Sequence, residues 1–271
     1  MYRSETLFIG HRIIELNSVG STNSYASELL NPDFNQNNVI EGTIVLAWSQ
    51  YSGRGQRGYN WKSEPFKNLT LSIILYPAFL RAEEQFMLNK VISLGVCDYV
   101  CKVHPCLLPK GGESRHSKSP SSVKIKWPND INIGDEKVAG ILIENSIRNN
   151  KIVSSVIGIG LNVNQTRFSS AIPNPASLKL IIGKDFDLRT CLSELCSFIE
   201  ARYLQLRSGK IERIDSDYLK SLYRYMQESS YEIQGKRFSA KITGVSNQGK
   251  LVLEKKSGTK VECDFKEIKF I

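Results

Sequence analysis

Four short segments gather the residue types that handle anions. The first, Gly53-Arg54-Gly55-Gln56-Arg57-Gly58, interleaves glycine with arginine. Glycine lets a backbone approach a ligand closely, successive backbone N–H groups can cradle an anion, and arginine adds charge-assisted hydrogen bonds to phosphate. The segment lacks the Gly-Lys-Ser/Thr ending of a P-loop and leads into a strand pattern rather than a helix, and a basic surface loop would share its composition. The second, Lys126-Trp127-Pro128-Asn129-Asp130, ends a strand pattern. Pro128 stiffens the turn, Asp130 suits a magnesium ion, and Trp127 offers a flat face to a ring; a β-turn with a buried tryptophan would read the same way.

The third segment, Lys137-Val138-Ala139-Gly140-Ile141-Leu142-Ile143-Glu144, opens an apolar strand with a lysine that could reach into a pocket beside Gly140 or simply blunt a sheet edge. In the fourth, Gly158-Ile159-Gly160-Leu161-Asn162-Val163-Asn164, two glycines within a strand mark a bulge, a kink or a close ligand approach, with Asn162 and Asn164 on one side. The six cysteines form no CxxC pair. Cys97, Cys101, His104 and Cys106 lie near one another, but a zinc site would need a matching further ligand, and His116 in a polar stretch is the one nearby; the thiols read as reduced.

The elements that must position these segments follow from periodicity. Ser21 caps a helix running to about Leu30, broken at Asn31-Pro32-Asp33. Strands are expected over 39–48 and 69–76, flanking the glycine- and arginine-rich loop 50–68, and a helix over 83–102. Residues 107–122 are polar and basic and read as a flexible surface insertion. A strand over 123–127 precedes a hairpin of 131–133 with 137–144 about Gly134-Asp135-Glu136, then a strand over 152–163. Helices follow over 188–207 and 211–228, and from Tyr231 short strands alternate with tight turns as in a small β-barrel. The whole is an α+β chain, with a larger domain over 1–228 and a small β domain over 229–271.

The chain has 271 residues, 41% hydrophobic and 23% charged, which excludes a disordered, collagen-like or disulfide-stapled chain. No apolar run reaches the roughly 18 residues of a membrane span, and no signal peptide is legible, so a soluble cytoplasmic protein without a membrane partner is expected. Lys plus Arg number 36 against 27 Asp plus Glu, a net charge of +9 that suits anionic ligands, an acidic protein or nucleic acid.

Taken jointly and in order, Ser21-Thr22-Asn23, Gln50 with GRGQRG and Trp61, KWPND, KVAGIL with Glu144, and GIGLNVN resemble the biotin protein ligases (biotin–acetyl-CoA-carboxylase ligases). The resemblance runs from about residue 15 to the C-terminus. It implies a mixed-sheet catalytic domain flanked by helices, of the class II synthetase-like biotin/lipoate ligase type, with the closing stretch from Gly235 to Phe270 as an SH3-like barrel. It implies that biotin and Mg²⁺-ATP give biotinyl-5′-AMP, and that a lysine of a carboxylase's biotin carboxyl carrier domain then takes the biotinyl group. Carried over by motif, Ser21, Thr22, Asn23, Gln50, Arg54, Gly55, Gln56, Lys137 and Gly140 bind biotin. Arg54, Arg57, Trp61, Lys126, Trp127, Asn129 and Asn162 lie on the ATP and adenylate side, and Asp130 holds the metal. Lys137 and Arg54 are the catalytic pair: a carboxylate meeting a polyphosphate needs its charge neutralised.

Two departures matter. Gln56 stands where many members carry a second loop arginine that helps hold the adenylate, so a leakier intermediate is expected. About 20 residues precede Ser21-Thr22-Asn23, too few for the helix-turn-helix of the family's repressors, so no operator DNA is expected as a partner. The family includes monomers and dimers joined by sheet extension, which makes a homodimer one of the implied states. The competing readings are a lipoate–protein ligase and, from another class, a basic nucleic-acid-binding protein with no enzymatic activity; the latter lacks a recognition helix and stacking platforms.

Overall fold

A computed structural model describes residues 5–31, 39–58, 60–104, 122–170, 172–265 and 267–271, with Arg57 described in its backbone alone. The expectations for the break at Pro32, for Cys106, His116 and residues 107–121, and for the Arg57 side chain lie outside the described residues.

Seven strands form one mixed sheet: β1 (Ile13–Leu16), β2 (Ile44–Ala47), β3 (Leu69–Leu75), β4 (Val123–Lys126), β5 (Asp130–Ile133), β6 (Glu136–Arg148) and β7 (Lys151–Leu161). Their order is β1-β2-β3-β7-β6-β5-β4, with β1 parallel to β2 and every other pair antiparallel. Alternation along the strands separates the two faces. Ile44 and Leu46, Leu71, Ile73 and Leu75, and Ile157, Ile159 and Leu161 join the main core beneath α2 (Gln85–Val103) and α4 (Leu188–Arg207). Val45, Ile74 and Val156 point the other way, where with Ala26 they pack under α1 (Thr22–Leu29).

That second face changes character toward one end. Thr70 pairs with Gly160, Gly160 with Gly140 and Gly140 with Asp130; one step along, Ser72 pairs with Gly158 and Gly158 with Leu142. Small or polar residues thus replace the branched side chains that α1 covers elsewhere, and a floor opens in the sheet.

A five-stranded antiparallel sheet follows: β8 (Glu228–Ile233), β9 (Lys236–Val245), β10 (Leu251–Lys255), β11 (Lys260–Cys263) and β12 (Ile268–Phe270), in the order β11-β10-β9-β8-β12. Tyr231, Ala240, Ile242, Leu251, Leu253 and Cys263 are buried in it, in keeping with the expected SH3-like barrel. Among the described residues no helix is long and apolar enough to cross a membrane.

Two elements are much shorter than the sequence reading has them, and two were not read at all. The strand expected over 39–48 is confined to Ile44–Ala47, because Gly42 at φ +81° turns the chain and donates its N–H to Ile74. The helix expected over 211–228 is α5 (Ile211–Ser221). Beyond it the backbone is claimed by both sheets: Tyr223 N–H donates to the Ile125 carbonyl, Met226 N–H to Ile242, and Arg224 and Met226 take positive φ. The short α3 (Leu178–Ile182) and β1 had no counterpart in the reading.

Candidate functional site

The cleft opens over the glycine floor. It encloses about 470 Å³ including its open mouth, within the range of small-ligand sites, about 300–1,000 Å³. Ser21, Thr22, Asn23, Gln50, Arg54, Gly55, Gln56, Trp61, Asn129, Asp130, Lys137 and Gly140 all line it, so most of the residues singled out from sequence converge on one space.

At one end stands the N-terminus of α1. Ser21 caps it, accepting from Ser24 N–H at 3.5 Å, which turns the buried Thr22 and Asn23 toward the sheet. Thr22 N–H donates to Gln50 Oε1 at 2.7 Å. The Ser72 hydroxyl lies 2.8 Å from Thr22 Oγ1 and 2.6 Å from Asn23 Oδ1, while Asn23 Nδ2 donates to Glu144 Oε2 at 2.8 Å. This end is a preassembled set of short polar side chains able to read amide and urea groups. It requires glycine beneath it: a methyl at Gly158 would meet Asn23 Oδ1 at 2.3 Å.

The middle is roofed by Trp61. Its indole lies so close to β7 that a methyl at Gly160 would fall 2.2 Å from Cε2. Trp61 N–H donates to the Gly53 carbonyl at 2.9 Å, which ties the glycine- and arginine-rich loop to the ring. The buried Trp61 Nε1 has no hydrogen-bond partner among the described residues.

The far end is electrostatic. Lys137 Nζ lies 2.7 Å from Asp130 Oδ1 and 5.8 Å from the Trp61 ring centroid. Strict alternation from Gly140 would aim Lys137 at the opposite face. The register between β5 and β6 shifts instead: Ile131 faces Ala139 while the adjacent Asn132 faces Lys137, so Val138 is an extra residue. This β-bulge returns Lys137 to the cleft side, a familiar way of re-aiming a side chain. Asn129 binds Ile141 through both its side-chain Nδ2 and its backbone carbonyl, which fixes the turn that carries Asp130. At the mouth, Arg54 Nη2 and Nη1 donate to the Glu144 carboxylate at 2.6 and 3.3 Å.

A cleft with a hydrogen-bonding end, an aromatic roof and two cations agrees with similarity to known proteins. Residues 16–162 match the biotin/lipoate A/B protein ligase family. The chain belongs to this family. It is 29% identical over 262 residues to the bifunctional ligase/repressor BirA of Bacillus spizizenii, covering 94% of this chain and 73% of that protein. It is 26% identical over 216 residues to a biotin–[acetyl-CoA-carboxylase] ligase of Mycobacterium tuberculosis, covering 79% and 74%. The biotin protein ligase of Aquifex aeolicus, solved with biotin and ATP, superposes with a TM-score of 0.74 at 23% identity, covering 96% of this chain and 99% of that one. That likeness is one of fold.

Within this ligase-family fold three residues expected on the nucleotide side do not line the cleft itself. The buried Trp127 offers no open face: its indole N–H donates to the Gly249 carbonyl at 3.0 Å and its ring meets Phe265 edge-on at 5.6 Å, because the end of β4 abuts the C-terminal sheet. Lys126 Nζ sits over Phe270 at 5.3 Å and Tyr223 at 6.0 Å. Burial there pushes its ammonium below the ordinary lysine range, Asp130 opposes the change, and Arg224 and Lys137 add to it. Asn162 is buried beside the cleft, donating through Nδ2 to Ala176 and through its backbone to Val138, with Oδ1 lacking a partner among the described residues. Asn164 does not share its side; it makes a reciprocal pair with the Phe186 backbone.

Sequence reasoning assigned no role to Ser72 or Glu144. Ser72 interrupts an apolar strand and Glu144 opens the polar end of β6, each at a spacing of two from a residue of the cleft floor, and that spacing was the available signal.

Proposed function

We propose that this protein activates biotin with ATP to biotinyl-5′-AMP and passes the biotinyl group to a lysine of the biotin carboxyl carrier domain of a carboxylase, in the cytoplasm. The observation that carries this reading is the joining, in one cleft, of the Ser72–Thr22–Asn23 network to Lys137 across a glycine floor roofed by Trp61, with Arg54 at the mouth. The polar network suits the ureido head of biotin, the apolar middle its ring and valeryl chain, and the cationic end the carboxylate and triphosphate. In the first step a biotin carboxylate oxygen attacks the α-phosphorus, the bond to the β-phosphate oxygen breaks, and pyrophosphate leaves. Lys137 lowers the repulsion between the two anions and stabilises charge gathering on the phosphoryl oxygens. In the second step the acceptor amine, as free base, attacks the biotinyl carbonyl and AMP leaves with the bonding pair. Trp61 and the loop from Gly53 shield the mixed anhydride from water between the steps.

The donor set fits a magnesium ion in one way. Asp130 is the carboxylate at the cationic end, and among the described residues no cluster of three acidic, histidine or cysteine side chains is present. Magnesium carried by a nucleotide needs one or two protein carboxylates, the phosphates and water supplying the rest. Bound there it would offset phosphate charge, with Asp130 as its protein ligand.

The test is ATP–pyrophosphate exchange with Mg²⁺ in the presence of biotin, of lipoate, or of neither. Biotin-dependent exchange supports the reading. Exchange with lipoate alone keeps the adenylation and changes the acid, since the family embraces both ligases. Absence of exchange with either acid overturns it.

A further inference from the structure

We infer that Glu144 is a positioning residue of this site, one carboxylate that orients both the biotin-side amide of Asn23 and the guanidinium of Arg54. The inference rests on the function proposed above and assigns a role to a residue outside the cleft lining itself.

Glu144 continues the cleft face of β6 beyond Gly140 and Leu142, pairing with Val156 across the ladder. It reaches the two groups from there. Oε2 accepts from Asn23 Nδ2 at 2.8 Å and from Arg54 Nη1 at 3.3 Å, and Oε1 accepts from Arg54 Nη2 at 2.6 Å. A carboxylate only accepts, so Asn23 must turn its NH₂ toward Glu144, where the Leu142 carbonyl also accepts at 3.3 Å. The Asn23 carbonyl is thereby committed to Ser72 and the recognition network. On the other side, the two Nη donors that face Glu144 fix the plane of the Arg54 guanidinium, leaving its other N–H groups for an incoming anion.

Stability alone does not account for the pair. The Arg54 and Glu144 side chains are 47% and 33% exposed, and ion pairs this open to solvent contribute little to stability. What the pair does is hold a residue of a glycine-rich loop to a central strand. Arg54 and Asn60 form a β-bridge and Gly53 accepts from Trp61, so the anchor extends through the loop to the roof of the cleft.

Two measurements on wild type, Glu144→Gln, Glu144→Ala, Arg54→Ala and the Glu144→Ala/Arg54→Ala double variant test this. In the ligand-free protein, amide hydrogen exchange of residues 53–61 is expected to rise about tenfold in Glu144→Ala, with melting within a few degrees of wild type, the scale of a weak ion pair. In biotin-dependent ATP–pyrophosphate exchange, Glu144→Ala is expected to lose about 10- to 100-fold in kcat/KM, the cost of groups displaced by about an ångström. Glu144→Gln keeps an acceptor for Asn23 and should hold the KM for biotin within about twofold while the KM for ATP rises. In the Arg54→Ala background, removing Glu144 should leave the KM for ATP within about twofold of the Arg54→Ala value. Unchanged loop exchange in Glu144→Ala overturns the positioning role, and so does an undiminished effect on ATP in the Arg54→Ala background. If wild type shows no biotin-dependent exchange, the proposed function fails, and the loop measurement still decides whether Glu144 positions Arg54.

Discussion

Replacing Gly160 by alanine perturbs one contact and leaves the rest of the site in place. The new methyl would lie 2.2 Å from Trp61 Cε2 and 2.5 Å from Cζ2, against about 3.5–4.0 Å for relaxed carbon contacts. Gly160 cannot retreat, since it is paired with Thr70 on one side and Gly140 on the other in the middle of the sheet. The ring must therefore lift by more than about one ångström, off the floor of the cleft and away from Lys137. Displacements of that size in a preorganised site cost about 10²-fold, or about 2.7 kcal/mol of transition-state stabilisation. We expect Gly160→Ala to lower kcat/KM for biotin-dependent ATP–pyrophosphate exchange by about that factor. The melting temperature should hold or rise slightly, because glycine within a strand is itself unfavourable. In a Trp61→Ala background the clash with the ring is gone and the methyl should cost much less. Exchange within about threefold of wild type in a folded Gly160→Ala protein would refute the reasoning, since that loss is under half of the expected free energy. An unfolded variant would show that this packing serves the fold rather than the site.

Removing the Lys137 charge should cost about 10²–10³ in the rate of adenylate formation, the typical cost of one preorganised stabilising group; near-normal Lys137→Ala kinetics would exclude it as the main electrostatic catalyst. Gln56→Arg should slow adenylate dissociation by about tenfold or more, the worth of one hydrogen bond to a charged group, and equal off-rates in a trapping assay would show that Gln56 retains the intermediate as well as arginine does. Among the described cysteines, Cys101 should be the first alkylated by iodoacetamide: it is exposed, and a hydrogen bond from Cys97 holds its thiol below the ordinary range, whereas burial pushes Cys196 up to about 12. Faster labelling of Cys196, read by peptide mapping, would contradict the packing of α4. Asp187→Ala should destabilise the protein by about 1 kcal/mol through loss of the α4 cap. Hydrogen bonds from Thr190 hold the Asp187 carboxyl below the ordinary aspartate range, so its contribution is present at neutral pH and fades as the pH falls through that range; a difference from wild type that grows toward acid would be the wrong sign.

Much of the site was legible because its chemistry sits in contiguous segments. Arg54 with Gly55 and Gln56, Asn129 with Asp130, and Lys137 with Gly140 each occupy one turn or one strand end, and all of them line the cleft. The unread parts depend on pairing between distant segments. The bulge that returns Lys137 to the cleft face exists only in the register of β5 against β6, and a strict period of two would have put its side chain on the other side. Trp127 was misplaced for a related reason: a tryptophan after a strand gives no sign of which sheet its indole will meet, and the C-terminal sheet claimed it through Gly249. The end of α5 at Ser221 follows likewise from hydrogen bonds to Ile125 and Ile242, residues far away in sequence, whereas nothing in the local pattern to Gln227 opposes a helix.

Both cations of the cleft already have carboxylate partners, Arg54 with Glu144 and Lys137 with Asp130. A ligand that had to displace these carboxylates would give back much of what it gained. The geometry does not demand displacement. Arginine carries five N–H donors, and Arg54 directs only its two Nη atoms at Glu144; a lysine ammonium has three, and Lys137 Nζ faces a single oxygen of Asp130. An anion can therefore add to donors that are still free. Each carboxylate meanwhile keeps its cation in one orientation, so that less side-chain entropy remains to be lost on binding. Neutral pairs also spare the empty cleft the repulsion of two bare cations. On this argument Asp130→Asn should leave Lys137 charged but unaligned, and at saturating Mg²⁺, which offsets a weakened metal ligand, that misalignment is what remains to be read. The loss should appear in kcat more than in the KM for biotin, because the ammonium is needed most where charge develops on the phosphoryl oxygens.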